Sequence, residues 1–251
     1  PIYVLGPLLA RCGEAEVAMP GGDQIGTRMI DLHVRGLRAM GAEVEIDGGY
    51  VRARAPEGLH AAQIYLDKPS VGATENLLCA AALARGETVI ENAAREPEVS
   101  DLCAFLNRMG ARVVGQGTST LEIEGVPELA PVESVLMGDR IEAGTYVMAC
   151  GIAGGEIQVT GVRAAHLGFA AEALAEMGVR ISPIEDGVWV QSQRNLRALN
   201  LRTLPFPGFA TDLMPMAVAM LCVADGTAIV KENIYEGRFP FVDPLTRMGA
   251  N

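Results

Sequence analysis

"AMGAEVEI" at Ala39–Ile46 returns along the chain as "RMGARVVG" at Arg108–Gly115, "EMGVRISP" at Glu176–Pro183 and "RMGAN" at Arg247–Asn251. Its glycines are Gly41, Gly110, Gly178 and Gly249, in steps of 69, 68 and 71 residues. A second phrase keeps time with it: "ARCGEAEV", "ARGETVIE", "AGGEIQVT" and "ADGTAIVK", with Gly13, Gly86, Gly155 and Gly226 in steps of 73, 69 and 71. Two independent markers advancing at one period identify a repeated structural unit, and that decides the fold before any single element is assigned.

Each unit reads physically. An Ala-rich apolar helix such as "TENLLCAAALA", Thr74–Ala84, is stopped by Gly86 as a glycine just past a helix end stops it. The β-rich "TVIENA" follows, then the amphipathic "VSDLCAFLNRMG", stopped at Gly110. A hairpin such as "VRISPIEDGVWVQS" closes the unit, with Asp186-Gly187 supplying the turn. "AQIYLD", Ala62–Asp67, supplies a strand before the first helix. The unit is β-α-β-α-β-β and about 70 residues long, with its strands in one sheet and its helices on one face. Units this long point to several small α/β modules packed together rather than a solenoid. Only twelve residues precede Gly13, and no hairpin follows Gly249. Both ends fall inside a unit, so the chain is expected to be a piece of a longer protein.

Composition narrows the function. The 251 residues are 49% hydrophobic, enough for about two domains with their own cores. No apolar run approaches the roughly 18 residues of a membrane helix. The net charge is −11 and no basic face stands out, which argues against a nucleic-acid partner. Cys12, Cys79, Cys103, Cys150 and Cys222 are odd in number and lack C-x-x-C spacing. They read as buried reduced thiols of a cytoplasmic protein rather than a disulfide framework or zinc site. His33, His60 and His166 are isolated from one another and read as structural, and no metal is expected.

The chemistry concentrates in a few loops. "MPGGDQIGTR", Met19–Arg28, sets Asp23 after three turn formers. In "DKPSVGATEN", Lys68, Pro69, Ser70 and Val71 enter an Ala-rich helix. Free N–H groups at a helix start suit a phosphate, but Ser70 also suits an ordinary N-cap and Lys68 a solvated charge. In "FATDLMPMAVAMLC", Asp212 is either a helix cap or a carboxylate base. Arg95-Glu96 reads as a local ion pair, and Arg238 in "YEGRF" as an exposed arginine. Neither a Walker loop nor a G-x-S-x-G elbow is present.

Taken together, "PGGDQIGTRMIDLH", "DKPSVGATEN", "ENAAREPEVSDL", "GDRIEAGT", "PFPGFATDL" and "YEGRFPFV", in this order, resemble the UDP-N-acetylglucosamine enolpyruvyl transferases over essentially all 251 residues. The resemblance implies an inside-out α/β barrel of two domains, each made of three β-α-β-α-β-β units. Residues 1–137 would be the later part of the first domain, carrying the catalytic loop 19–28. Residues 138–251 would begin the second, and substrates would bind in the cleft between them. It implies transfer of enolpyruvate from phosphoenolpyruvate to the 3-hydroxyl of UDP-N-acetylglucosamine, the first committed step of peptidoglycan synthesis, without metal or organic cofactor. Matched position by position, sugar-nucleotide contacts fall on Arg28, Met29, Ile30, Asp31, Leu32, Lys68, Pro69, Ser70, Val71, Asp212 and Ile234. Asp212 is matched to the general base, and Arg238 to an arginine near the same site.

There are two departures from the family pattern. Where many members carry a cysteine, on a mobile loop that donates a proton to the phosphoenolpyruvate methylene, this chain has Asp23, a variant some members share. A carboxyl can act there only if its pKa is raised toward working pH. Fosfomycin alkylates that cysteine in the family, so insensitivity is implied here. The family's Lys-Asn pair and three arginines that hold phosphoenolpyruvate also have no counterpart, so the given chain alone is expected to turn over slowly. The competing readings are a related transferase acting on another nucleotide and a non-catalytic fragment that binds a sugar nucleotide. Shikimate-type relatives share the fold but lack the Gly-Gly-x-x-Ile-Gly loop.

Overall fold

The computed structural model describes residues 2–22, 25–26 and 29–250. They form two compact units, one of the described residues up to Leu136 other than Ile25 and Gly26, the other of those two together with Met137 onward.

The first unit runs α1 (Leu5–Cys12), β1 (Glu14–Ala18), α2 (Asp31–Ala39), β2 (Glu43–Asp47) and β3 (Tyr50–Arg54). It continues with β4 (Gln63–Tyr65), α3 (Val71–Ala81), β5 (Glu87–Glu91), α4 (Pro97–Arg108), β6 (Arg112–Val114) and β7 (Thr120–Glu124). Residues 62–126 therefore realise the whole β-α-β-α-β-β unit. Its sheet order is β4-β5-β7-β6, with β4 and β5 parallel and the remaining pairs antiparallel. The other sheet, β1-β3-β2, is antiparallel. Strands such as β3 and β7 bury alternate residues, so each sheet turns one face to the helices and one to water.

The second unit runs α5 (Arg140–Ala153), β8 (Gly155–Thr160), α6 (Phe169–Glu176), β9 (Arg180–Ile184) and β10 (Gly187–Ser192). Then come β11 (Leu201–Arg202), α7 (Met214–Leu221), β12 (Val230–Lys231) and α8 (Val242–Arg247). The sheet β8-β10-β9 matches β1-β3-β2, and β11 pairs parallel with β12 as β4 does with β5. Two details differ from the sequence reading. No strand precedes α5, where residues 125–139 run irregularly. The β9–β10 turn is Glu185-Asp186, and Gly187 opens β10 opposite Ile184.

The recurring Met-Gly phrase is a helix terminator. Gly41, Gly110, Gly178 and Gly249 have φ of 91°, 100°, 106° and 98°, the left-handed region that only glycine enters freely. At each, the next residue's N–H bonds five residues back: Ala42 to Leu37, Ala111 to Leu106 and Val179 to Leu174, all at 3.0 Å, and Ala250 to Leu245 at 3.1 Å. The glycine's own N–H bonds three back, which completes a Schellman cap. In the first three, the two residues joined by the longer bond are both buried, so the cap also pins the helix end to the core.

Helices lie inside and sheets outside. α3 buries Gly72, Ala73, Thr74, Asn76, Leu77, Leu78, Ala80 and Ala81, which is most of its circumference. It packs against α1, α2 and α4. Close approach needs small residues: a Cβ on Gly36 would sit 2.5 Å from Leu77, and one on Gly6 2.3 Å from the Asn76 carbonyl. Each fully buried leucine there contributes about 1.5–3 kcal/mol. The second unit has its own core, with Val147, Met177, Val188, Val190, Phe209, Ala217 and Met220 essentially without exposure. All five cysteines are free thiols; Cys103 and Cys150 are buried, but Cys12 and Cys222, at helix ends, are exposed rather than buried. Among the described residues no helix is long and apolar enough to cross a membrane.

Gly110→Ala tests the cap in isolation, because a Cβ there meets nothing within 4 Å. The strain of a positive φ alone should cost about 1–2 kcal/mol, read from urea unfolding, and Gly110→Asn should cost less. An alanine variant of undiminished stability would show that the turn does not fix the helix end.

Candidate active site

In the first unit, Met29 to Leu32 lead into α2, and their side chains alternate. Ile30 and Leu32 are core residues, while Met29 and Asp31 face water. Of this stretch, Ile30 and Leu32 can offer a ligand only backbone. Lys68 is exposed, and Pro69, Ser70 and Val71 are half-buried at the head of α3. Ser70 is the N-cap, its Oγ accepting the Ala73 N–H at 3.3 Å, so the ordinary reading of that hydroxyl is realised. The two stretches are tied together by Arg35 of α2. Its guanidinium donates to Asp67 at 2.7 Å and to the Tyr65 carbonyl at 3.2 Å. That hydrogen bond holds the Asp67 carboxyl below its usual range and raises Arg35. A shared anion on Lys68 and the first turn of α3 would therefore meet a turn fixed from α2.

Beneath that turn lies a buried polar knot. Asn76 Oδ1 accepts the Gly6 N–H at 2.6 Å, and its Nδ2 donates to His33 Nδ1 at 3.0 Å. His33 acts as the acceptor, so it is neutral. Burial lowers its pKa to about 4, against the opposing pull of Asp31. On the preceding residue of α3, Glu75 is raised to about 7 by burial first and by Glu98 and Glu96 second. Burial likewise pushes the Cys79 and Cys103 thiols up to about 11, which makes them poor nucleophiles.

The second unit gathers a different set. Thr211–Leu213 forms a single 3-10 turn that runs into α7. Asp212 is not a cap; its Oδ1 accepts Arg238 Nη2 at 2.6 Å. Arg238 is not the exposed residue its sequence context suggests. It is 9% exposed, bonds Thr211 Oγ1 at 3.2 Å and lies 5.7 Å from the centre of the Tyr235 ring. The Asp212 side chain keeps 58% exposure, so a carboxylate held from behind by a buried cation presents itself to solvent. Glu232 adjoins this pair. It accepts Thr203 Oγ1 at 2.7 Å, Thr211 Oγ1 at 2.9 Å, and the N–H groups of Ile234 and Tyr235 at 2.6 and 3.1 Å. Asn233 Nδ2 donates to the Thr203 carbonyl at 2.9 Å.

Sequence reasoning missed Glu232, Thr203 and Asn233. The available signal was the repeat, since Glu232 follows β12 as Asn92 follows β5. In the same unit the Gly237 N–H donates to the Ile25 carbonyl at 3.1 Å, and a Cβ on Gly237 would lie 2.7 Å from Gly26 N. Asp23 and Arg28, both singled out in the sequence, lie outside the described residues. Among the described residues, no group of three or more His, Cys, Asp or Glu side chains converges as a metal site would.

The model of the EPSP synthase (3-phosphoshikimate 1-carboxyvinyltransferase) family matches residues 1–251. The chain belongs to that family. Within it, a Gluconacetobacter diazotrophicus protein named UDP-N-acetylglucosamine 1-carboxyvinyltransferase is 53% identical over 99% of this chain and 59% of its own length. One of the same name from Nocardia farcinica is 54% identical over 100% of this chain and 58% of its own. The chain thus spans about three-fifths of the length of these curated relatives. The crystal structure of the enolpyruvyl transferase NikO from Streptomyces tendae superposes with a TM-score of 0.83, at 24% identity, over 98% of this chain and 59% of that one. The fold is therefore the inside-out α/β architecture of the enolpyruvyl transferases.

His33 and Glu75 give this family member opposed pH dependences. Below about 6.5 the unfolded chain takes up a proton that native His33 refuses, so stability falls as pH drops from 6.5 toward 4. Native Glu75 keeps a proton that the unfolded chain gives up, so stability falls as pH rises from 4.5 toward 7. Each slope is at most about 1.4 kcal/mol per pH unit. Relative to wild type, Glu75→Gln should gain stability as pH rises across this range, and His33→Gln should lose its deficit as pH falls. Urea unfolding at several pH values reads both, and differences that stay constant with pH would refute the two burials.

Proposed function

We propose that this chain is the larger part of an enzyme that transfers the enolpyruvyl group of phosphoenolpyruvate to the 3-hydroxyl of UDP-N-acetylglucosamine, the first committed step of peptidoglycan synthesis. The observation that carries the reading is the Asp212–Arg238 pair. One carboxylate oxygen is held at 2.6 Å by a buried guanidinium, and the side chain stays open to solvent. That is the arrangement wanted of a fixed base that must accept a hydroxyl proton. The relatives that are 53% and 54% identical carry the corresponding name.

In this reading Asp212 removes the proton of the 3-hydroxyl as its oxygen attacks the enolpyruvyl carbon. Asp23 delivers a proton to the methylene, giving a tetrahedral adduct. Loss of a methyl proton and of phosphate then restores the double bond. The sugar nucleotide is held by Arg28, by Met29, Ile30, Asp31 and Leu32, by Lys68, Pro69, Ser70 and Val71, and by Ile234. Lys68 and the first-turn N–H groups of α3 support a diphosphate by charge and dipole. Residues 1–137 are assigned to the first domain and residues 138–251 to the second. The reaction is assigned to the cytoplasm, and it is carried by acid–base groups and electrostatics without a metal or organic cofactor.

The test uses the chain extended to the length of its relatives, given both substrates, with phosphate release measured. Asp212→Asn should lower turnover by about 10²–10⁴-fold, the range for a lost general base. Asp23→Asn should abolish it. Wild type should resist fosfomycin, because a carboxylate is a weak nucleophile toward an epoxide, and Asp23→Cys should gain a covalent adduct visible by mass. The 251-residue chain alone should be far slower than the extended one. An extended wild type that releases no phosphate, or an undiminished Asp212→Asn, would overturn the assignment.

A further inference from the structure

The two repeats with a leading strand can be compared bond by bond, and one position departs in kind. After β4, the Leu66 N–H bonds the Glu91 carbonyl at 3.1 Å; after β11, the Thr203 N–H bonds the Lys231 carbonyl at 3.0 Å. The residues that follow these carbonyls, Asn92 and Glu232, are therefore equivalent. Asn92 does scaffold work, its amide donating to the Leu66 carbonyl at 2.7 Å. In the second unit that donor role has moved one residue on, to Asn233, which reaches the Thr203 carbonyl. The vacated position holds a carboxylate on which four donors converge.

We propose that Glu232 is the positioning residue of the Asp212–Arg238 pair, acting through the Thr211 hydroxyl on one side and the Ile234–Tyr235 backbone on the other. This rests on the transferase reading for its catalytic consequence only. Thr211 has one hydroxyl proton. Giving it to Glu232 at 2.9 Å leaves the oxygen lone pairs for Arg238 Nη1 at 3.2 Å. Arg238 then points its other nitrogen at Asp212. On the far side Glu232 holds the Tyr235 N–H, and the Tyr235 ring lies against the same guanidinium. Glu232 touches neither Asp212 nor Arg238 in any of these bonds. It fixes the groups that fix them, and it adds a nearby negative charge to a buried cation that needs one.

An isosteric amide cannot do this. With its nitrogen toward Thr211, Glu232→Gln forces the hydroxyl to accept from two donors and leaves its own proton without the carboxylate. With its nitrogen the other way, it faces the Ile234 and Tyr235 N–H groups, donor against donor. In the extended protein, Glu232→Gln and Thr211→Val should each lower kcat by about 10- to 100-fold, the scale of a misplaced catalytic group. Thr211→Ser, which returns the hydroxyl, should recover most of the loss seen in Thr211→Val. The double variant should be no slower than the worse single one, because both changes cut the same path.

A second readout does not depend on the reaction. In the 251-residue chain, hydrogen exchange of the Arg238 guanidinium, followed by nuclear magnetic resonance, should quicken about 10-fold or more in Glu232→Gln and in Thr211→Val but not in Thr211→Ser. Should Glu232→Gln not fold, the two Thr211 variants carry the test. Losses that multiply in the double variant, or unchanged guanidinium exchange, would overturn the role of Glu232. An inactive wild type would instead overturn the transferase reading and leave the exchange measurement to decide.

Discussion

A helix that is apolar almost all round has to be surrounded, and α3 is such a helix. The arrangement of the first unit follows from that demand. α1, α2 and α4 pack on α3, the first two closely through Gly6 and Gly36, and the sheets are left to cover the outside with one dry face each. A Cβ at Gly36 would strike Leu77 at 2.5 Å, so the close crossing exists only because the side chain is missing. The second unit meets the same demand at α5 and α7. Gly144 lies against Leu213, and Gly151 against Met220. Two of these helices, α3 and α7, are entered by the chain from a leading strand, β4 and β11.

That entry point is where the candidate site residues gather in both units. Lys68–Val71 stand between β4 and α3, and Thr211–Leu213 between β11 and α7. The repeat supplies two copies of one scaffold, and the side chains distinguish them. In the first unit the entry has a serine cap and an exposed lysine, suited to an anion. In the second it has an acid braced by a buried arginine, suited to moving a proton. The hydrogen bonds that join neighbouring strands are conserved between the two, while the residue after the second strand has changed from a donor to an acceptor of four bonds. A duplicated scaffold can specialise this way because backbone pairing carries the fold and leaves individual side chains free to change.

Much of this was legible in the sequence. The Met-Gly phrase fixed the period, and a Schellman cap needs little more than a glycine followed by a small apolar residue, so a local pattern predicts a local geometry. Hairpins, the alternation of helix and strand, and the Ser70 cap were readable for the same reason: each is satisfied within a few residues. The motifs around Lys68 and Asp212 were legible as places, but that Asp212 pairs with an arginine 26 residues away instead of capping the helix emerged only from the structure.

What the sequence determined by itself was the repeat, its element order and the loops on which polar residues gather, because periodicity and turn chemistry are short-range properties. The tertiary structure alone decided that Arg238 is buried, that His33 is a neutral acceptor in a polar knot, and that Glu232 ties Thr203, Thr211, Ile234 and Tyr235 together. It also decided that no strand forms ahead of α5, although the repeat calls for one. Burial and partnership depend on which distant segments pack together. "YEGRF" is the same string whether its arginine lies in water or beneath a tyrosine ring, and only packing removes the water.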